Sequence, residues 1–381
     1  MNGTDNSRNI LEVKDLHVSF RMPTGDVKAI RGLNFTLARN EVVALVGESG
    51  SGKSVGVKAV TGILPDNAVI ESGEILYNDG GEMIDLLKLR PSVRKKRFAG
   101  KKIAMIFQDP MTSLNPVMTI GAQLMTAARC HTPMSRKEAW AKCTELLREV
   151  GITDPARTMA QYPHQLSGGM RQRVVIATAL SGDPDILICD EPTTALDVTI
   201  QQKILDLLQS IQRAKGLSII FITHNLGVVA KLADYVGVMY AGKIIEYGTV
   251  FDIFFEPRHP YTWGLLSAVP EITELADGND TLYSIPGTPP NLAKEIVGDA
   301  FAPRNPYAME IDFKAEPPMF RISNTHSAAT WLADPRAPKT EMPAELAERI
   351  KRLKQEEMRY RLLIKSQKQR NWISVQMPMD M

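Results

Sequence analysis

The chain has 381 residues, of which 44% are hydrophobic, enough for one large α/β core with a helical insertion and a small appended domain. A formal net charge of +2 gives no reason to expect wholesale nucleic-acid binding, and no apolar run approaches the ~18 residues of a membrane span. The polar start, Met1 to Asn9, does not read as a signal peptide, and Cys130, Cys143 and Cys189 lack metal-ligand spacing, so a reduced, cytosolic protein is expected.

Residues 10 to about 85 read as a β-rich start with Gly and Asn-Asp-Gly turns around Asn78 to Gly81. Within it the apolar run Val42 to Val46 leads into Gly47-Glu48-Ser49-Gly50-Ser51-Gly52-Lys53-Ser54, a match to G-x-x-x-x-G-K-[ST]. Such a pattern can be a chance turn before a helix, but the strand in front of it points to a phosphate-binding loop. Gly47, Gly50 and Gly52 let backbone N–H groups face phosphate oxygens, and a helix starting near Lys53 aims its positive end at the same charge. Lys53 is then placed for the β- and γ-phosphates, and the Ser54 hydroxyl for Mg²⁺.

Arg94, Lys95, Lys96, Arg97, Lys101 and Lys102 form a basic cluster that reads as a solvated face rather than a nucleic-acid patch. From 109 to 165 the pattern is helical, including a periodic stretch from Lys137 to Val150 ended by Gly151. After Ser167, strands and helices alternate to about Phe255 and complete a mainly parallel sheet. The run Ile186 to Cys189 is apolar throughout, as a strand buried on both faces is, and it ends in Asp190-Glu191. Alone, Glu191-Pro192 would read as a surface turn. Behind a phosphate loop, Asp190 is suited to hold Mg²⁺ and Glu191 to polarise an attacking water. The stretch from Glu256 to Pro338 is rich in proline and reads as an appended lobe; the mixed-charge tail from Pro343 to Lys368, with Leu346, Ile350 and Leu353 at helical spacing, reads as a solvated or loosely docked helix.

The ordered set of phosphate loop, FQDP (Phe107 to Pro110), LSGGM (Leu166 to Met170), ILICDEP, TALD (Thr194 to Asp197) and THN (Thr223 to Asn225) resembles an ABC-transporter ATPase. DPMTSLNP (Asp109 to Pro116), YPHQLSGGMRQR (Tyr162 to Arg173), HPYTWGLLSAVP (His259 to Pro270) and IPGTPPNL (Ile285 to Leu292) resemble the ATP-binding subunits of bacterial oligopeptide and dipeptide importers. The resemblance covers nearly all of residues 10 to 335. It implies a P-loop ABC core over 1–255 with a mainly parallel sheet, an antiparallel β start and a helical subdomain at about 109–170. A C-terminal region over 256–338 and a tail over 339–381 follow.

The same resemblance assigns roles. Phe20 is similar to the aromatic that stacks on adenine, a role that the resemblance favours over ordinary strand packing. Residues 47 to 54 with Val55 form the ATP loop. Gln108 resembles the glutamine that touches Mg²⁺ and the attacking water, and His224 the switch histidine; a lone histidine after a strand is usually structural, but its place in the motif order reverses that. Ser54, Gln108 and Asp190 are the Mg²⁺ set; Glu191, His224, Gln108 and Lys53 are the catalytic set. Ser167, Gly168 and Gly169 are expected to act on the nucleotide of an opposing subunit, and Asp197 to lie at that interface. Asn225 stands where aspartate is usual, and Met170 where many relatives have glutamine.

Many members of this subgroup carry a four-cysteine iron–sulfur motif, and its positions are filled here by Asp299, Asn305, Asp312 and Thr330, so no cluster is expected. The resemblance implies a second, homologous ATPase subunit in a heterodimer, two transmembrane permease subunits and an external peptide-binding protein, with the chain at the cytoplasmic face of the membrane. Import of another small solute such as nickel is an alternative. A soluble ABC protein acting on nucleic acid or the ribosome is another, but no sustained heptads separate loop from LSGGM and only one cassette is present. A regulatory ATP binder with a dead site is opposed by the joint presence of Lys53, Asp190, Glu191 and His224.

Overall fold

The computed structural model describes residues 8–23, 25–194, 196–268 and 284–355. The polar start before Arg8, residues 269 and 270 of the HPYTWGLLSAVP segment and the tail beyond 355 lie outside them.

The strands, in chain order, are β1 (Asn9–Phe20), β2 (Val27–Ala38), β3 (Val42–Val46), β4 (Ala68–Asp79), β5 (Glu82–Asp85), β6 (Ile103–Ile106), β7 (Ile186–Asp190), β8 (Ser218–Thr223), β9 (Tyr235–Tyr240), β10 (Lys243–Thr249), β11 (Phe320–Arg321) and β12 (Ser327–Ala328). The helices are α1 (Lys53–Thr61), α2 (Pro91–Arg97), α3 (Pro110–Ser113), α4 (Ile120–His131), α5 (Arg136–Glu149), α6 (Pro155–Ala160), α7 (Gly168–Leu180), α8 (Val198–Lys215), α9 (Leu226–Leu232), α10 (Val250–Phe255), α11 (Pro260–Ser267) and α12 (344–355).

Two sheets divide the chain. The first is antiparallel in the order β2-β1-β4-β5; the second runs β11-β12-β10-β9-β3-β8-β7-β6, with β9, β3, β8, β7 and β6 parallel. Every residue of β3, β7 and β8 is buried, as parallel strands covered on both faces must be. Their C-terminal ends open into the loops that carry Gly47, Glu191 and His224, so the topology itself gathers these segments at one sheet edge.

Helices α3 to α7 form the insertion. Its α5 starts at a capping box in which Ser135 Oγ accepts from Glu138 N and Glu138 Oε2 accepts from Ser135 N, and the chain turns after it at Gly151 with φ of 76°. Leu124, Ala128, Cys143, Leu147 and Val174 bury the facing sides of α4, α5 and α7. Burial pushes the Cys143 thiol up to about 11, and that of Cys189 in β7 higher still, so neither is a reactive thiolate.

Three expectations change. The stretch from Glu256 to Pro338 does not stand apart as a lobe. Its β12 pairs with β10, placing Ala328 opposite Glu246, and Phe301 joins Val238, Tyr240 and Tyr261 in one core. Of the two readings of the tail, solvated or loosely docked, the solvated one falls over 344–355, because Leu346 and Ile350 are 4% and 6% exposed in that same core, and Arg349 donates to Leu266 O at 3.1 Å. In the basic cluster, Arg94 is half-buried and donates to Ala59 O and, at 2.8 Å, to Val60 O at the end of α1, while Lys102 pairs with Asp185 at 3.0 Å.

Candidate functional site: a phosphate loop beside a held carboxylate

The loop between β3 and α1 is wound tightly enough to exclude side chains at two points. Gly47 has φ of 149°, and a Cβ there would lie 2.2 Å from Met239 O; at Gly52, with φ of 100°, it would lie 2.8 Å from Ala29 O. Glycine is therefore required by contact as well as by dihedral angle. Gly52 is the N-cap of α1 and offers no side chain to its first turn, which leaves N–H groups for an anion. Ser49 and Gly50 are exposed at the tip, and nothing lies within 4 Å of a Cβ on Gly50.

Lys53 is 6% exposed, and its ammonium donates to Gly47 O at 2.7 Å, Glu48 O at 2.9 Å and Ser51 Oγ at 3.2 Å. Burial lowers its pKa, while the charges of Glu191, Asp190 and Glu48 work in the opposite direction. One turn on, Ser54 Oγ donates to Asp190 Oδ1 at 2.8 Å, bringing the ends of α1 and β7 together. Asp190 is 3% exposed and its pKa is raised by burial, against the hydrogen bond from Ser54 and the charge of Lys58. Two hard oxygens this close suit Mg²⁺, which takes oxygen ligands.

Glu191 is held in the left-handed region, φ 47°, a conformation uncommon for glutamate and kept only where the surroundings hold it. Its carboxylate is gripped from three sides. Gln108 Nε2 donates to Oε2 at 3.1 Å, Thr194 Oγ1 donates to the same oxygen at 3.0 Å, and His224 Nδ1 lies 3.3 Å from Oε1. Burial opposes ionisation, but the hydrogen bonds of His224 and Thr194 and the charges of His224 and Lys53 prevail, so its pKa is below the usual range. An ionised, oriented carboxylate beside a phosphate loop can accept a proton from, or orient, a water.

The structure thus brings Lys53, Ser54, Asp190, Glu191, Gln108 and His224 into one constellation. Val55 packs its half-buried side chain against the core behind α1. Phe20 lies half-buried at the end of β1, opposite Val27 and Ala68. Ser167 and Gly168 are exposed at the start of α7, where Ser167 Oγ accepts from Met170 N at 3.3 Å. A Cβ on Gly169 would meet Ile200 Cγ2 at 3.0 Å, so this turn packs beside α8. Asp197 caps α8 by accepting from Ile200 N at 2.9 Å, and Asn225 caps α9 by accepting from Gly227 N at 2.9 Å, which any Asp or Asn could do.

Sequence reasoning gave Thr194 no role of its own and passed over Arg304 altogether. Arg304 pairs with Glu48 of the loop, at 2.7 Å and 3.0 Å. The available signal was an arginine set between two of the four positions where subgroup members carry cysteine. Those four side chains are buried and each accepts a backbone N–H: Asp299 from Phe301, Asn305 from Tyr307, Asp312 from Met309 and Thr330 from Leu332. Carboxylate, amide and hydroxyl oxygens used in this way do not fit an iron–sulfur cluster, which needs thiolates.

A glycine cradle leading into an uncapped helix, with a Ser–Asp oxygen pair and a held glutamate across from it, defines a P-loop ATPase of the cassette type. Comparison with known proteins narrows the class. Residues 30–194 match the ABC transporter family, and residues 245–311 match the oligopeptide/dipeptide transporter C-terminal region. The chain is 52% identical over 346 residues to the oligopeptide transport ATP-binding protein OppD of Bacillus subtilis, covering 90% of this chain and 94% of that protein. It is also 52% identical to the dipeptide transport ATP-binding protein DppD of Lactococcus lactis, covering 90% and 96%. Among solved structures, the ATP-binding cassette MJ0796, a dimer bound to ADP and Pi, is similar with a TM-score of 0.55 at 25% identity, covering 63% of this chain and 98% of that one. The protein cbiO1 of Clostridium perfringens, part of an ABC transporter complex, gives a TM-score of 0.55 at 30% identity, covering 65% and 92%. The chain belongs to the ABC-transporter ATPases, in the group of peptide-transporter ATP-binding subunits.

Proposed function

We propose that this protein hydrolyses ATP at a composite dimer site to power peptide uptake through separate permease subunits. The observation that carries the reading is the Glu191 carboxylate, ionised and held by Gln108, Thr194 and His224 beside the Ser54–Asp190 pair. Residues 47 to 55 hold the triphosphate, with Phe20 on the adenine. Ser54, Asp190 and Gln108 hold Mg²⁺, which when bound neutralises charge on the phosphates. Lys53 leaves its loop carbonyls for phosphate oxygens. Glu191 takes up or orients the proton of the attacking water, and His224 and Gln108 make closure depend on the γ-phosphate.

Ser167, Gly168 and Gly169 complete the nucleotide site of a second, homologous ATPase, with Asp197 at the interface; exposure of Ser167 and Gly168 at the α7 start supports this. A heterodimer is favoured, together with two transmembrane permeases and an external peptide-binding protein. No helix of the described residues is long and apolar enough to cross a membrane. Attachment to the cytoplasmic face through the permeases is part of the same reading. The C-terminal region carries no iron–sulfur cluster. The reading is tested in proteoliposomes containing the whole complex: ATP on the ATPase side drives accumulation of a labelled oligopeptide or dipeptide, and the Glu191→Gln complex does not. Equal uptake without ATP would exclude it.

A further inference from the structure

The C-terminal region reaches the nucleotide loop through one residue. Arg304 closes the short 3-10 turn Ala302–Arg304, and its side chain is 5% exposed. All five guanidinium N–H directions are used. Nε donates to Pro286 O at 2.9 Å; Nη1 donates to Glu48 Oε2 at 2.7 Å and to Tyr240 Oη at 3.2 Å; Nη2 donates to Glu48 Oε1 at 3.0 Å and to Ile285 O at 3.2 Å. The two contacts to Glu48 are the parallel fork that arginine forms with a carboxylate, and lysine cannot reproduce it.

Glu48 is the second residue of the loop, and every polar group it owns is engaged. Its N–H donates to Tyr261 Oη at 2.8 Å, from α11. Its carbonyl accepts from Lys53 Nζ at 2.9 Å and from Ser51 N at 3.2 Å. Its carboxylate takes the Arg304 fork. The path from the C-terminal region to the loop lysine is therefore two contacts long. The far end is rigid as well: Tyr240, Tyr261 and Phe301 pack edge to face or tilted, with centroids 4.7 to 5.4 Å apart, and Asp299 and Asn305 pin the backbone on either side of Arg304.

We infer that Arg304 is a positioning residue for the nucleotide site, fixing the phosphate loop through Glu48 and cancelling the charge of that carboxylate where a triphosphate is received. The inference rests on the reading of the Lys53 loop as the ATP site. Arg304 touches no reacting atom, so its effect falls on ATP affinity and not on turnover at saturation. Without it, Glu48 is an uncompensated anion next to another, and of its two contacts from outside the loop only the one to Tyr261 Oη is left.

The test is ATPase kinetics of the assembled transporter with Arg304→Ala, Arg304→Lys, Tyr261→Phe and the double variant Arg304→Ala/Glu48→Gln, with melting temperatures recorded for each. Arg304→Ala is expected to raise the KM for ATP about 10-fold and to change kcat by less than about 2-fold, with Arg304→Lys intermediate. The double variant, which removes the orphaned charge, has a KM at least about 3-fold below that of Arg304→Ala, a rescue that a merely structural role would not give. If Arg304→Ala does not fold, Arg304→Lys and Tyr261→Phe, which keeps the ring and removes only the acceptor for Glu48 N, decide through their own rise in KM. An unchanged KM in these variants, or a loss of kcat and stability that Glu48→Gln leaves unrescued, would overturn the inference. Lys53→Ala separates the two readings: if it leaves ATP binding intact, the site assignment has failed; if it abolishes binding while the Arg304 variants behave as the parent, only the positioning role has failed.

Discussion

Ser54 and Asp190, 136 residues apart, share a hydrogen bond of 2.8 Å that joins the first turn of α1 to the end of β7. That contact fixes the two segments whose oxygens suit a divalent cation, and Glu191, the next residue, is 16% exposed and feels the charge of Lys53. The strain of Glu191 at φ 47° is compensated by Gln108, Thr194 and His224, which come from three different segments. Gln108 belongs to the entry of the helical insertion, so its hydrogen bond to Glu191 links the carboxylate to that segment.

Gly169→Asp is expected to leave ATP bound to this chain's own loop and to damage hydrolysis at the opposing subunit. The new side chain costs little folding energy, since its Cβ meets only the movable side chain of Ile200, with Cγ2 at 3.0 Å. It does place a carboxylate where an approaching γ-phosphate needs N–H groups. Nucleotide photo-crosslinking to each subunit of a heterodimer checks this; loss of label from this chain with the partner's hydrolysis intact would contradict it.

Burial pushes the Asp299 carboxyl up to about 6, with like charge from Asp312 and Glu316 adding to it. A carboxyl raised above its unfolded value near ~3.9 stabilises the fold fully below that pH, and the contribution is lost as pH rises through about 6. An asparagine in its place would keep the acceptor for Phe301 N without the charge. Asp299→Asn is therefore expected to be more stable than the parent by about 1–3 kcal/mol at pH 8, the gap closing below about pH 4. Thermal unfolding at the two pH values measures it, and a gap independent of pH would refute the assignment.

Leu346→Ala is expected to cost about 2–5 kcal/mol, as for a buried leucine, because Leu346 is 4% exposed and packs in the same core as Tyr261 and Phe301. A melting temperature unchanged from the parent would mean that α12 is not docked in solution.

Iron is expected to be absent in stoichiometric amount from protein purified without air, since none of the four side chains at the cluster positions is a thiolate. Metal analysis and visible absorbance check this, and a full complement of iron and sulfide would contradict it.

Much of the site was legible because its chemistry is local. A phosphate loop needs glycine at fixed offsets, and an apolar strand needs its polar residues at one end, so residues 47 to 54 and Asp190-Glu191 announce themselves. The insertion was legible for the same reason, in the periodic stretch from Lys137 to Val150 and the Gly151 that ends it. What escaped depends on contacts with no local pattern. Strands β11 and β12 are two residues long each and show no alternation, so nothing in the sequence reveals that the C-terminal stretch extends the main sheet. Arg304 and Glu48 lie 256 residues apart, and neither residue type in its own setting hints at the other. Arg94 looks like one charge among six until α2 folds back on the end of α1, where its guanidinium finds carbonyls rather than water.

The central claim, that Glu191 is the group that handles the attacking water, is tested most directly by ATP binding and steady-state hydrolysis of the assembled complex with Glu191→Gln. Glutamine can still be held by Thr194 and His224 but is a far weaker base, while Lys53 and the loop amides are untouched. Hydrolysis is expected to fall by about 10²-fold or more with ATP binding retained. Turnover near that of the parent would contradict the account.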